Sequence, residues 1–123
     1  MKFQVSVIIP TFNRNEKCMR AIKSALAQTV PCEIIVVDDG STPPLAIDEK
    51  IYKYTIHTLS LIQSPTNKGP SAARNLGVLA ANCEYIAFLD SDDQWNPLKI
   101  QKLLSIIDEI NQDRDCVILC GWN

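Results

Sequence analysis

The sequence predicts an α/β fold with a mostly parallel β-sheet and helices on both of its faces. Short apolar runs rich in β-branched residues alternate with segments whose apolar residues recur at helical spacing. The runs are almost continuously apolar, which is typical of strands covered on both faces. Strands that alternate with helices favour a parallel sheet, whose ligands bind beyond the carboxyl ends of the strands.

Five runs are predicted to be strands and three segments between them to be helices. The strands are VSVII (5–9), EIIVV (33–37), LSLI (59–62), YIAFL (85–89) and CVILC (116–120). The helices cover residues 15–28, residues 70–81 and a segment that starts at Pro97. Residues 43–54 carry a weaker pattern, which indicates a turn followed by a short helix.

Two details of the helices can be predicted more closely. The third helix should have Asn96 as its N-cap and Pro97 as its first residue, with Trp95 packed on Ile100 as a hydrophobic staple. Gly77 lies inside the second helix and costs roughly 1 kcal/mol there relative to alanine. It therefore indicates close packing on a neighbouring backbone.

Composition limits the class of protein. The 123 residues carry a net charge of -2 and are 46% hydrophobic, which is typical of one ordinary domain (1–123) and gives no surface for nucleic acid. The longest apolar runs have about five residues and no signal peptide is evident, so we expect a cytoplasmic protein. The five cysteines include no C-x-x-C pair and are expected to be reduced structural thiols: Cys18, Cys32, Cys83, Cys116 and Cys120.

Three carboxylates stand within four positions at the end of one predicted strand. Asp90, Asp92 and Asp93 directly follow the run YIAFL. Two carboxylates about 5 Å apart repel by roughly 3 kcal/mol at an effective dielectric constant near 20, so solvent, donors or a cation must offset the repulsion. A D-x-D pattern can bind Mg²⁺ or Mn²⁺ through its carboxylate oxygens. Water molecules and diphosphate oxygens then complete the coordination shell of the cation. For an isolated match, a solvated turn capped by Asp is the more frequent outcome.

Other candidate residues follow the remaining strands. In VVDDGS, Asp39 can accept hydrogen bonds from a base or a ribose, whereas Asp38 fits a turn that satisfies backbone donors. Arg74 lies near the start of the second helix, where a cation opposes the helix dipole, so an acid or a nucleotide partner would explain it. Phe12 can stack on a base or line the rim of the core. His57, the single histidine, has no motif around it and receives no role.

Four motifs together resemble the N-terminal half of the family 2 glycosyltransferases, which are inverting enzymes of the GT-A fold. They are VSVIIPTFNR, IIVVDDGS, NKGPSAARNLG and YIAFLDSDDQWNPLKI, and they cover most of residues 5–110. The resemblance implies a Rossmann-like GT-A core that binds a nucleotide-sugar donor, most often a UDP-sugar, through Mn²⁺ or Mg²⁺. It also implies transfer of the sugar to a hydroxyl of a glycan or lipid-linked saccharide acceptor.

The resemblance also implies a role for each residue that matches a motif. These roles are backbone contacts near the nucleotide for Pro10 and Thr11, packing against the base for Phe12, a base contact for Asp39, a nucleotide contact for Arg74, a ribose contact for Asp90 and metal binding for Asp92. Asp93 receives no firm role. The catalytic base is not assigned to any residue of this chain.

Members of the family run on beyond the length of this chain. The resemblance therefore implies a C-terminally truncated enzyme that is inactive alone, and whose full-length form can lie against the membrane from the cytoplasm. We expect the cut to expose apolar surface at CVILC and Trp122, through which the chain self-associates. Two alternatives stay open: a nucleotide-binding module without catalysis, and a sugar nucleotidyltransferase, which is disfavoured because no Gly-rich loop with a basic residue lies near the N-terminus.

Overall fold

The computed structural model describes residues 3–110, and within that range it confirms the α/β fold class. The elements in chain order are β1 (Val5–Thr11), α1 (Asn15–Leu26), β2 (Cys32–Asp38), a 3₁₀ turn (Glu49–Ile51), β3 (Thr58–Gln63), α2 (Pro70–Ala80), β4 (Tyr85–Phe88) and α3 (Lys99–Ile110). The four described strands form one parallel sheet in the order β3-β2-β1-β4. The predicted strand at 116–120 and Trp122 lie outside the described residues.

The two central strands divide the core into two layers. Alternate side chains of a strand point to opposite faces, so Val7 and Ile9 face the cluster that contains Ile22 of α1 and Ile100 of α3. Ile8, with Ile35 and Val37 of β2, faces Ala73 of α2 in the second cluster. Helices α1 and α3 therefore cover one face of the sheet, and α2 covers the other.

The outer strands are covered less completely than their apolar sequences predict. Ile8 pairs with Phe88 and Ser6 with Ile86, which places the two β4 side chains on the face that α2 covers over β1. On that face Ile86 is 39% exposed and Phe88 is 46% exposed. The expectation that every strand is covered on both faces is therefore wrong for β4, and β3 is likewise only partly buried.

The third helix begins later than predicted. Lys99 is its first residue, and a turn at residues 97–98 precedes it. Asn96 still acts as a cap, because its Oδ1 accepts a hydrogen bond from the Leu98 N–H at 2.9 Å. Trp95 and Ile100 are buried in the same cluster, as the predicted staple requires.

Gln28 joins the end of α1 to the start of α3, a role that the sequence did not reveal. Its Nε2 donates to the Asn96 carbonyl at 2.9 Å, and its Oε1 accepts from the Ile100 N–H at 3.0 Å. The first N–H groups of a helix have no partner within the helix. Gln28 thus satisfies one of these groups in a buried place.

His57 closes the segment between β2 and β3. Its buried ring accepts a hydrogen bond at Nδ1 from the Cys32 N–H at 3.0 Å, and its Nε2 lies 3.2 Å from the Gln28 carbonyl. These partners fit the neutral tautomer that carries its proton on Nε2. Burial lowers the pKa of His57 below 6.5, although the nearby carbonyls oppose this effect.

The segment between β2 and β3 contains the short helix predicted within residues 43–54, at Glu49–Ile51.

The three cysteines in the described part of the chain are free thiols, as predicted. Burial raises the pKa of Cys18 to about 11 and that of Cys32 to about 12. Both thiols therefore stay protonated and unreactive at neutral pH. Cys116 and Cys120 lie outside the described residues. No helix among residues 3–110 is long and apolar enough to cross a membrane.

Gly77 lets α2 pack closely on β1, but its neighbour is a side chain and not the predicted backbone. A Cβ at this position would overlap the Ile8 side chain, with Cγ1 and Cδ1 at 3.2 Å and Cγ2 closer still. Ile8 is itself completely buried and has little room to move.

We predict that the free energy of unfolding falls as the pH falls through about 6.5, because the folded state keeps His57 neutral while the unfolded state takes up a proton. Above that pH the contribution of the neutral ring is fully present. Urea unfolding between about pH 7.5 and 5.5 measures the effect, and His57→Asn is the control that should remove it. A difference between wild type and His57→Asn that is constant over this range would contradict the prediction.

We predict that Gly77→Ala destabilises the fold by about 1–3 kcal/mol, because overlap with Ile8 outweighs the gain in helix propensity. Asn75→Ala, at an exposed position of the same helix, is the matched control and should leave stability unchanged or slightly higher. Thermal and urea unfolding measure both variants. Equal stability of the two variants would show that α2 can move away from the sheet at no cost.

Candidate functional site

A pocket of about 350 Å³ lies at the carboxyl edge of the sheet, beside the start of α2. This volume is within the usual range of small-molecule sites. All seven residues to which the resemblance gave a role line it: Pro10, Thr11, Phe12, Asp39, Arg74, Asp90 and Asp92. The remaining lining residues are Arg14, Asn67, Pro70, Ala73 and Ser91. The ends of β1, β2 and β4 thus meet in one site, as expected for a parallel sheet.

Asp39 holds one wall of the pocket in place. Its Oδ1 accepts from the Lys68 N–H at 2.9 Å, and its Oδ2 accepts from the Gly69 N–H at 2.8 Å and from Asn67 Nδ2 at 3.1 Å. Asp39 therefore fixes the loop that leads into α2. The sequence suggested hydrogen bonds to a base or a ribose for this residue and did not reveal its role in holding the loop, because a bond across 30 positions leaves no local pattern.

Gly40 allows the same loop to lie directly on the end of β2. Its φ of +80° is one that residues with side chains rarely adopt. A Cβ here would stand 2.6 Å from the Thr66 carbonyl carbon and 2.7 Å from the Asn67 nitrogen. Both the backbone conformation and the close approach thus require glycine in VVDDGS.

Asp38 has the structural role that the sequence favoured for it. Its Oδ1 accepts from the Ser41 N–H at 3.1 Å, and its Oδ2 accepts from the Leu45 N–H at 2.8 Å and from Gln63 Nε2 at 3.3 Å. Burial alone would raise the pKa of Asp38, but these hydrogen bonds outweigh it and hold the pKa below its ordinary value. Asp38 is buried away from the pocket and shapes the turn after β2.

Two arginines pair with two of the pocket carboxylates. Arg74 Nη2 lies 3.2 Å from Asp90 Oδ1, and Arg14 Nη1 lies 3.2 Å from Asp92 Oδ2. The first pair explains why a cation stands near the start of α2. The sequence analysis did not identify Arg14, and its place as the last residue of the motif VSVIIPTFNR was the only signal that could have identified it.

The tips of β1 and β4 complete the site. Phe12 presents an aromatic side chain that is 42% exposed at the pocket wall. Thr11 also lines the pocket, where its hydroxyl oxygen is buried and its carbonyl accepts from the Asp39 N–H at 2.9 Å. Asp93 lies in the turn after β4, where its N–H donates to the Asp90 carbonyl and its Oδ1 accepts from the Gln94 N–H. Asp93 does not line the pocket.

No group of three metal-ligating side chains converges within residues 3–110. The donors in the pocket still suit one kind of metal ion, because Mg²⁺ and Mn²⁺ commonly bind one or two carboxylates and take their other ligands from water and phosphate. Asp90 and Asp92 are two residues apart in the sequence and both line the pocket. Their carboxylates would offer such an ion hard oxygen ligands.

The family model described as Glycosyl transferase family 2 matches residues 6–120. The chain belongs to glycosyltransferase family 2. It is 43% identical over 109 residues to an uncharacterized glycosyltransferase of Rickettsia conorii, covering 88% of this chain and 18% of the relative. It is 31% identical over 113 residues to the amylovoran biosynthesis glycosyltransferase AmsB of Erwinia amylovora, covering 89% of this chain and 38% of the relative.

The same comparison extends to solved structures. The chain superimposes on S. aureus TarS 1–349 in complex with UDP-GlcNAc with a TM-score of 0.75 and 31% identity, covering 89% of this chain and 32% of the TarS 1–349 chain. This likeness confirms the GT-A fold that the motifs predicted for this family 2 glycosyltransferase chain. The chain spans less than two fifths of the length of each of these three relatives.

We predict that Asp38→Asn destabilises the fold by about 2–4 kcal/mol, because the amide cannot accept all three hydrogen bonds of the buried carboxylate. Asp92→Asn removes the same charge from an exposed site and should change stability by less than about 1 kcal/mol. Chemical denaturation of both variants measures the difference. A large loss of stability in Asp92→Asn would show that this residue is structural.

Proposed function

We propose that the pocket binds the nucleoside diphosphate of a UDP-sugar donor together with Mn²⁺ or Mg²⁺. In the whole enzyme, the sugar is then transferred with inversion to an acceptor hydroxyl in glycan or polysaccharide synthesis. The observation that carries this proposal is the meeting of all seven predicted residues in one pocket. The UDP-GlcNAc complex of TarS supports the donor class, and the name of AmsB supports a polysaccharide product.

The nucleoside would lie between the tips of β1 and β2. Phe12 offers an exposed aromatic face for the base. Asp39 lies at the end of the neighbouring strand β2, and both of its carboxylate oxygens bond to the loop before α2, which fixes its position. It still has a lone pair that can accept from a base N–H. Asp90 would accept hydrogen bonds from the ribose hydroxyls.

The diphosphate would lie near the start of α2. This helix begins with Pro70 after Gly69, no side chain caps it, and Pro70 and Ala73 line the pocket. The positive end of the helix dipole would therefore favour an anion there. Arg74 adds a guanidinium group on the same helix, and a guanidinium group can bind phosphate oxygens in pairs. The positive groups of α2 thus complement a negatively charged ligand.

Asp92 is the proposed metal ligand, with Asp90 as its neighbour in the D-x-D pattern. A bound Mg²⁺ or Mn²⁺ stabilises the negative charge on the departing diphosphate. The carboxylates of this chain hold and orient the donor, and none of them is proposed as the base that activates the acceptor. The acceptor, a glycan or lipid-linked saccharide, is a proposal for the whole protein.

Self-association of the 123-residue chain stays part of the proposal. The predicted contact at CVILC and Trp122 lies outside the described residues, but the described part offers an exposed apolar face on β4. Ile86 and Phe88 are its side chains, and strand β4 lies at the edge of the described sheet. Exposed edge strands with apolar side chains favour pairing with another chain.

We predict that Mn²⁺ raises the affinity of the chain for UDP by about tenfold or more, because a cation held by Asp92 would offset the negative charge of the diphosphate. Isothermal titration calorimetry with Mn²⁺ and with a chelator measures this ratio. Asp92→Asn should lose most of it. Asp108→Asn, which removes an exposed carboxylate from α3, is the matched control and should keep it.

Two results would contradict this account in different ways. Equal UDP affinity with Mn²⁺ and with chelator would exclude a role of the metal in donor binding and would leave the nucleotide site intact. Failure to bind UDP under either condition would exclude the donor site in this chain.

A further inference from the structure

Arg14 forms an ion pair with Asp92, the carboxylate that is the proposed metal ligand. Its Nη1 lies 3.2 Å from Asp92 Oδ2, with the two side chains 51% and 49% exposed. An ion pair this exposed contributes little to stability. The pair can therefore separate without damage to the fold, and its position inside the pocket is more informative than its strength.

The backbone of Arg14 is held by helix α1, whereas its side chain takes no part in capping that helix. Arg14 is the N-cap of α1, and its carbonyl accepts from the Cys18 N–H at 2.8 Å. Its side chain makes no capping hydrogen bond to the helix. A long side chain on a fixed N-cap can thus change partners without moving α1.

The charges in the pocket require such a change of partners when ligand binds. A cation on Asp92 would meet the guanidinium group of Arg14 at the same carboxylate, and like charges at this distance repel. A diphosphate in the same pocket offers new acceptors, and guanidinium groups bind phosphate oxygens in a fork geometry.

We propose that Arg14 is an exchangeable counter-ion of Asp92 and a further donor-binding residue. It holds the carboxylate before the cation arrives, and it transfers to the diphosphate once the cation has taken its place. This inference rests on the proposed function, because it needs a cation at Asp92 and a diphosphate beside it. It predicts opposite effects of Arg14 on the two ligands.

Arg14→Met tests the proposal, with Arg14→Gln made in parallel so that the result does not depend on one replacement. Arg20→Met is the matched control, because it removes the same charge from an exposed position of α1 that does not line the pocket. Electron paramagnetic resonance measures the binding of Mn²⁺ alone, and calorimetry measures the binding of UDP in saturating Mn²⁺. Circular dichroism establishes that each variant is folded.

In the Arg14 variants, Mn²⁺ alone should bind about two- to fivefold more tightly, because the competing pair is gone. UDP in saturating Mn²⁺ should bind about tenfold or more weakly, because a charge-assisted contact is lost. Arg20→Met should leave both affinities within about twofold of wild type.

The outcomes separate this inference from the proposed function. If wild type binds UDP with Mn²⁺ and the Arg14 variants match Arg20→Met, the exchange is wrong and the donor site stands. Weaker binding of Mn²⁺ in the Arg14 variants would also overturn the exchange. If Mn²⁺ neither binds to wild type nor changes its affinity for UDP, the metal in the proposed function is wrong, and the exchange is then wrong as well.

Discussion

The whole site depends on two adjacent carboxylates at the end of β2. Asp38 and Asp39 point to opposite faces of the sheet, as successive residues of a strand must. Asp38 accepts hydrogen bonds from the turn after β2, and Asp39 accepts them from the loop that enters α2. One strand end therefore fixes the turn on one face and the start of a helix on the other. Asp39 thus helps to place the helix that carries Arg74 to the pocket, together with the packing of that helix on the sheet.

The charge distribution of the pocket explains how an acid-rich strand edge folds. Three carboxylates line it, and each has donors of its own. Asp39 accepts from backbone N–H groups, while Asp90 and Asp92 each face an arginine at 3.2 Å. Protein groups thus offset the repulsion that the sequence alone assigned to a cation or other donors. The proposed place of the cation is in donor binding.

The sequence predicted those features that depend on local pattern. Alternating apolar runs and helical stripes predicted the parallel sheet, and the ends of the runs predicted which side chains would meet. It could not predict contacts between distant positions, such as the bonds of Gln28 to the start of α3 or the pairing of Arg14 with Asp92. Nor could it show that Phe88 would be left half exposed, because the burial of an apolar strand is decided by what packs on it. His57 gained its structural role in the same way, through a backbone N–H 25 positions away.

The proposed function requires that a nucleoside diphosphate binds where the carboxyl ends of β1, β2 and β4 meet. Nuclear magnetic resonance of the ¹⁵N-labelled chain, titrated with UDP and Mg²⁺, tests it most directly. We expect the amide shifts to concentrate at Phe12, at Gly40, at the non-proline residues of 67–74 and at residues 90–92, and Mn²⁺ to broaden the signals nearest Asp92 first. Shifts centred on the opposite end of the sheet, around His57, or no saturable shifts at all, would contradict it.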